Sequence, residues 1–324
     1  MITFTLEAFA LAAAIDLVFG EPAAALHPVV WAGKLIALLE RLTPGRYRFT
    51  YGFFMAVAVI ASTVVTGCGI CWLAYRASPV LGLLVTAFLV KSTFSLSFLW
   101  RISRDIYEDL KAGRLSGARA KLPALVGRDV SRLDAGPLSS CVVESLGESF
   151  VDGILSPVLY FAVFGLPGAL AYRAINTLDS MVGYKDEKHR QTGFASAKLD
   201  DLANYVPARL AVPLIAAASL AVVTSPVVGR PALAVKTALQ DGRKPPSVNS
   251  GYPMAAFAGA LGTRLEKPGY YVLGDGLRPC RPDDIPRAIR LNQAASALLL
   301  IAALAIMFIA GLPLAWGVFT WPAL

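Results

Sequence analysis

The chain has 324 residues, of which 56% are hydrophobic and 16% charged, against about 25% charged residues in an average soluble domain. This balance excludes an ordinary soluble enzyme and points to a membrane protein with substantial aqueous loops. The formal charge of +8 belongs first to cytoplasmic loops and then to anionic lipid or substrate. No nucleic-acid partner is expected, because no basic run interleaves with aromatic residues.

A span of the hydrocarbon core needs about 20 apolar residues. Leu6 to Gly20 is a short candidate that holds Asp16. The chain start has no basic segment or small-residue cleavage site, which predicts a retained span rather than a signal peptide. Tyr51 to Tyr75 and Pro79 to Trp100 are predicted to form a pair of spans. Cys68 and Cys71 fall inside the first of these, with no second ligand pair, and read as small side chains at a helix contact rather than a zinc site. Basic residues precede the pair (Lys34, Arg41, Arg46, Arg48) and follow it (Arg101 through Arg132), which places both flanking loops in the cytoplasm. Ser139 to Tyr172 is apolar but interrupted by acids; a re-entrant or double-pass hairpin broken at Gly165-Leu166-Pro167-Gly168 reconciles it with the basic loops on either side. Val206 to Val228 and Leu291 to Phe319 complete the set. The predicted fold is an all-α, polytopic helical bundle: a single integral membrane domain over 1–324, multi-pass in the cell membrane and surrounded by lipid. Its polar cytoplasmic segments, 101–138, 173–205 and 229–290, form the active site. The Gly/Pro-rich stretch 267–286 reads as loop.

Four constellations carry chemistry. Glu144, Glu148 and Asp152 recur at four-residue steps and share one helix face. Each acid costs about 2.5–3.5 kcal/mol at the centre of a lipid-facing helix, so they belong in a wet cavity holding Mg²⁺, or on a solvated helix at the membrane edge. From Tyr172 to Arg209 the chain concentrates Arg173, Asn176, Asp179, Lys185, Asp200, Asp201 and Asn204; this is a site for a charged ligand or an ordinary solvated loop. Ser247 and Asn249 precede a small-residue run whose start suits phosphate, or which makes a tight helix contact. Asp16, Glu21 and His27 stand near the N-terminus, and an acid within an apolar span is a functional candidate.

These segments resemble the adenosylcobinamide-phosphate synthase family. The similarity is densest in YRAINTLDSMVGYKDEKHRQTGFASAKLDDLANYVPARL at 172–210. It extends to VGRD at 126–129, the VE-x-x-x-E-x-x-x-DG run, the N-terminal GEP…HPV segment and SVNSGYPMAAFAGALGTRL. The chain departs from the family pattern at Ser149, Val248, Ser250, Met254 and Glu266-Lys267. The resemblance implies an ATP- and Mg²⁺-dependent ligase joining the corrinoid adenosylcobyric acid to an aminopropanol phosphate, with other late cobalamin-assembly enzymes as further partners. It implies Glu144, Glu148, Asp179, Asp200 and Asp201 as catalytic candidates, with Glu148, Asp152 and Asp200 as metal ligands. Arg128, Tyr172, Asn176, Lys185, Asn204, Arg209, Ser247 and Asn249 are the substrate-binding candidates. A membrane sensor of the wider superfamily is the alternative, and a solute transporter a third, disfavoured by the lack of an internal repeat.

Overall fold

The computed structural model describes residues 6–184, 186–222 and 231–311. The chain is almost wholly helical, and four of its helices are long and apolar enough to cross a membrane. It divides into two compact units, Met1–Ser95 with Pro157–Asp200 and Leu300–Leu324, and Leu96–Ser156 with Asp201–Leu299.

In the first unit, α1 (Leu6–Phe19), α2 (Pro28–Arg41), α3 (Arg48–Ala77) and α4 (Pro79–Lys91) precede most of a long helix discussed below. The apolar run predicted for α3 becomes 30 helical residues whose outer face exposes Phe53, Phe54, Val57, Val65 and Leu73, as a lipid-facing stripe should. Pro79 opens α4 directly after Ser78, which caps the end of α3, and there its missing N–H costs nothing. Cys71 is buried at this hairpin's contact, 3.5 Å from the Thr86 hydroxyl, so it serves packing as the spacing suggested.

The span predicted over Pro79 to Trp100 is corrected. α4 stops at Lys91 after 13 residues, about 20 Å at 1.5 Å per residue and short of the ~30 Å hydrocarbon core. Lys91 ends the helix where it meets two acids from the N-terminal segment. α1 likewise has only 14 residues. The spans predicted at Val206–Val228 and Leu291–Phe319 are helical over Tyr205–Val222 and Asp284–Gly311, and their remainders lie outside the described residues.

The unit's core is built from Ile36, Met55, Ala56, Val59, Ala174, Leu178, Val182 and Ala195. Phe9 stacks on Phe161 at 5.5 Å and meets Phe94 at 6.3 Å. Where α3 meets the loop before residue 194, a Cβ on Gly52 would lie 2.2 Å from the Thr192 carbonyl oxygen. That loop is pinned to α2 by His189. Its two ring nitrogens lie 2.9 Å from the Asp186 carboxylate and 3.0 Å from Glu40, and Lys188 also pairs with Glu40.

Burial opposes the charge on His189, but hydrogen bonds to Asp186 and Glu40 outweigh it and raise its pKa. The latch is therefore fully formed below the unfolded imidazole value of about 6.5 and is lost as pH rises through the higher folded value. Limited proteolysis between residues 184 and 192 should show cleavage increasing with alkaline pH, and a flat profile over that range in His189→Ala.

α7 (Ala135–Phe150) continues through a π-helical turn at Val151–Leu155 into α8 (Ser156–Val182). The backbone leaves helical geometry at Gly165 (φ 67°, ψ −159°), two residues before Pro167. This is the position where the sequence predicts a break, and only glycine adopts that conformation cheaply.

The second unit holds α5 (Ser97–Lys111), α6 (Leu115–Lys121), α7, α10 (Tyr205–Val222), α11 (Pro231–Asp241), α12 (Gly251–Leu261) and most of α13 (Asp284–Gly311); α9 (Phe194–Ala203) ends at the boundary. Gly262 closes α12 in the left-handed conformation. The predicted loop then gives way to a three-stranded sheet in the order β2-β1-β3: β1 (Thr263–Lys267), β2 (Tyr271–Leu273) and β3 (Arg278–Pro279). β1 and β2 are antiparallel, with Leu265 opposite Leu273, and β1 and β3 are parallel. Thr263 and Leu265 alternate inward, and β1 packs on α7.

Candidate active site

The β1–α7 contact organises the first cluster, wholly within the second unit. Glu144 is buried at 4% exposure. Its Oε1 accepts the Ser140 hydroxyl at 2.8 Å and its Oε2 the Tyr271 hydroxyl at 2.8 Å. Arg128 reaches in from the loop before α7 and pairs with Oε2 through Nη2 at 3.3 Å. The same Nη2 lies 2.8 Å from the Cys141 sulfur. Burial and the Glu144 carboxylate push the Tyr271 phenol well above its ordinary value, so it stays protonated and donates. Ser140 also accepts the Glu266 backbone N–H at 2.8 Å, so the departure from the family pattern at Glu266 leaves this contact intact.

Arg128 is only partly used. Its Nε and Nη1 are buried with no hydrogen-bond partner among the described residues. An unpaired buried donor costs about 1–3 kcal/mol, and each of these two N–H groups can donate to an oxygen of a carboxylate or phosphate.

The three acids of the α7 register do not share one environment. Glu144 is buried, Glu148 is exposed and Asp152 is intermediate. Asp152 lies in the π-turn, a distortion often found at functional sites. Among the described residues no three His, Cys, Asp or Glu side chains form a metal-holding group. Glu148 and Asp152, predicted as metal ligands, both lie in this unit. Asp200, predicted with them, belongs to the other compact unit.

A second cluster in this unit gathers predicted residues from α10 and the segment before α12. Arg209 donates to Asn249 Oδ1 at 2.6 Å and to the carbonyls of Tyr205 and Val248. Its plane lies between the rings of Tyr205 at 3.7 Å and Tyr252 at 4.4 Å. These contacts place Arg209, an expected anion clamp, at the approach to α12. Asn249 donates to the Asp201 carbonyl, and Ser247 accepts the N–H groups of Asn249 and Ser250, so both order the turn. Asn204 is buried and accepts the Ser156 hydroxyl at 2.6 Å.

The first unit brings Asn176 of α8 to Asp200 of α9, with Nδ2 3.5 Å from Oδ1. Arg173 donates to the Asn176 side-chain oxygen at 3.3 Å. Asp179 lies beside Gly183, where an added Cβ would meet its Oδ1 at 2.0 Å. Tyr172 is fully buried and stacks on Tyr160 at 5.1 Å. Lys185 lies outside the described residues.

Asp16, Glu21 and His27 do converge, on a residue outside the predicted set. Lys91 Nζ is 3.0 Å from Asp16 Oδ1 and 2.7 Å from Glu21 Oε2. His27 Nδ1 accepts the Val29 N–H, which leaves Nε2 to donate to Glu21 at 3.2 Å. The signal was present: Lys91 is a single cation in an otherwise apolar run.

A family model described as CobD/Cbib protein matches residues 9–292. A Methanothrix thermoacetophila protein named probable cobalamin biosynthesis protein CobD is 40% identical over 319 residues, covering 92% of this chain and 98% of its own. The cobalamin biosynthesis protein CobD of Klebsiella pneumoniae is 40% identical over 309 residues, covering 91% and 95%. The cobalamin biosynthesis protein CbiB of Salmonella paratyphi B is 36% identical over 310 residues, also covering 91% and 95%. No solved structure matches.

Proposed function

We propose that this chain, which belongs to the CobD/Cbib family of cobalamin biosynthesis proteins, is a multi-pass protein of the cell membrane that forms an amide bond. It joins adenosylcobyric acid to (R)-1-aminopropan-2-ol O-phosphate, or a related amino-alcohol phosphate, with ATP. The observation behind this reading is the Arg128 guanidinium, anchored by Glu144 and Cys141 through one nitrogen and holding two buried N–H groups unused.

A carboxylate resists attack by an amine, so it is first activated. The corrinoid carboxylate takes the terminal phosphoryl group of ATP and ADP departs. The amine nitrogen then attacks the acyl carbon and inorganic phosphate leaves. Arg128 donates its unused N–H groups to the carboxylate and then to the acyl phosphate, and Glu144 compensates the charge of Arg128 when no anion is bound. Protonated Tyr271 keeps Glu144 oriented. Glu148 and Asp152 would hold Mg²⁺, since their carboxylate oxygens suit that cation, and it would offset phosphate charge. The attacking amine must lose a proton to a base; Asp201, in the same unit as Arg128, is the candidate for that role.

Cells lacking the synthase and supplied with adenosylcobyric acid test the reading. Expression of this chain should restore cobinamide production. Absence of rescue despite verified membrane insertion would count against an enzyme and for a membrane sensor of the same superfamily.

A further inference from the structure

A further charged feature of the second unit lies outside the cluster around Glu144, on the first half of α5 and the start of α13. α13 is long and apolar enough to cross a membrane, and its outer face exposes Leu298, Ile301, Ile306 and Phe308. That stripe runs back through Ala297 and Ala294 to Arg290 at steps of three and four residues. Arg290 is exposed and stands roughly 10 Å before Ala297 along the helix. The headgroup layer of a bilayer is ~5–8 Å deep, and a long arginine stem spans such a gap.

In α5, Phe98, Arg101 and Arg104 follow at steps of three and are all exposed. Asp105 and Glu108 stand four residues beyond the two arginines, a spacing at which helix charges can pair. Arg101, Arg104 and Arg290 nevertheless make no ion pair or side-chain hydrogen bond among the described residues. Trp100 ties the two elements together. Its indole N–H donates to Asn292 Oδ1 at 2.8 Å, and Asn292 Nδ2 donates to the Leu146 carbonyl of α7 at 2.9 Å. Trp100 precedes Arg101 and Asn292 lies two residues beyond Arg290, so this bond holds the start of α5 beside the head of the apolar stripe. α5 is also locked to α6, where Asp109 pairs with Arg114 at 2.8 Å and with Lys121 at 2.7 Å. Packing and these bonds, rather than any neutralising acid, fix the places of the three arginines.

We propose that Arg101, Arg104 and Arg290 form a binding surface for the headgroup of an anionic phospholipid. The guanidinium N–H groups take the lipid phosphate. Phe98 enters the acyl boundary, and Trp100 sits at the depth where tryptophan gathers in membrane proteins. A soluble anion would gain nothing from Phe98 or from the apolar stripe that follows Arg290; a lipid uses the charges and the stripe together. A zwitterionic headgroup brings its own ammonium toward the arginines, so the surface selects net negative charge. Asp105 and Glu108 end the cationic patch and confine it to the first turns of α5.

The full chain is reconstituted in phosphatidylcholine vesicles carrying a trace of spin-labelled phosphatidylglycerol or spin-labelled phosphatidylcholine. Electron paramagnetic resonance then measures how much label is immobilised at the protein surface. Phosphatidylglycerol should be preferred about fivefold. The preference should disappear in the triple variant Arg101→Gln, Arg104→Gln, Arg290→Gln. It should persist in Lys111→Gln, Arg132→Gln, Arg243→Gln, which removes equal charge from three other exposed positions of the same unit. In the parent it should fade as salt rises from roughly 0.01 to 1 M, while the screening length falls from ~30 to ~3 Å. Three results would overturn the proposal: no preference in the parent, a preference retained by the first triple variant at the parent's melting temperature, or an equal loss in both triple variants. A parental preference that salt leaves untouched would overturn it too, whatever the folding of the variants.

Discussion

Replacing Lys91 with methionine is expected to destabilise the protein by roughly 3–5 kcal/mol, the usual cost of stranding the partner of a buried ion pair. Lys91 is 1% exposed and Asp16 is 0% exposed. Methionine conserves most of the volume, so cavity formation contributes little, and the loss comes from uncompensated carboxylates. Glu21 feels the same change. Burial raises its pKa, but hydrogen bonds from His27 and Lys91 and the charge of Lys91 prevail and bring it down to about 2. A depressed carboxylate contributes stability above its unfolded value of about 4.3, which fades as pH falls toward the folded value. Lys91→Met should therefore lower the melting temperature in detergent on the order of 10 °C and blunt its acid dependence. The triple variant Lys91→Met, Asp16→Asn, Glu21→Gln should recover much of the loss, because neutral amides do not need a buried cation. A melting temperature unchanged in Lys91→Met would show that water reaches these acids.

Arg128→Met is expected to reduce amide formation at least 100-fold, a loss of about 2.7 kcal/mol of transition-state stabilisation. Two effects combine in that variant. Glu144 loses its cation, and the substrate loses the unused guanidinium N–H groups. Adding Glu144→Gln separates them: the double variant should regain thermal stability, since Ser140 and Tyr271 still hydrogen-bond the amide, but not activity. Arg128→Lys keeps the charge and loses the fork, so KM should rise about tenfold or more with the fold intact. Recovery of both stability and activity in the double variant would make Arg128 a purely structural partner of Glu144.

What the sequence reveals here follows the range of each interaction. The spans at α3, α10 and α13 were legible because a run of apolar residues is a local property. So was the break near Gly165, where a glycine and a proline interrupt the helix. The truncation of α4 was not, because Lys91 is turned from the membrane by Asp16 and Glu21, some 70 residues earlier in the chain. The small sheet was also missed: five residues of β1 gain strand geometry only by pairing with β2 and packing on α7. In the candidate site, four-residue spacing placed Glu144, Glu148 and Asp152 on one helix. Their different burial depends on Arg128 and Tyr271, which arrive from a loop and a strand. Arg209 carries contacts that the sequence did not show: its guanidinium meets Tyr205, Tyr252 and Asn249. No property of an isolated arginine reports that.

The most direct measurement uses adenosylcobyric acid labelled with ¹⁸O in its free carboxylate, incubated with ATP, Mg²⁺, aminopropanol phosphate and the purified chain in nanodiscs. Mass spectrometry should find the amide product, lighter than its two precursors combined by one water, together with inorganic phosphate that has acquired one ¹⁸O from the carboxylate. Both signals should vanish in Arg128→Met. Product lacking any transfer of label to phosphate, or folded protein that yields no amide while binding both substrates, would contradict activation of the carboxylate at Arg128.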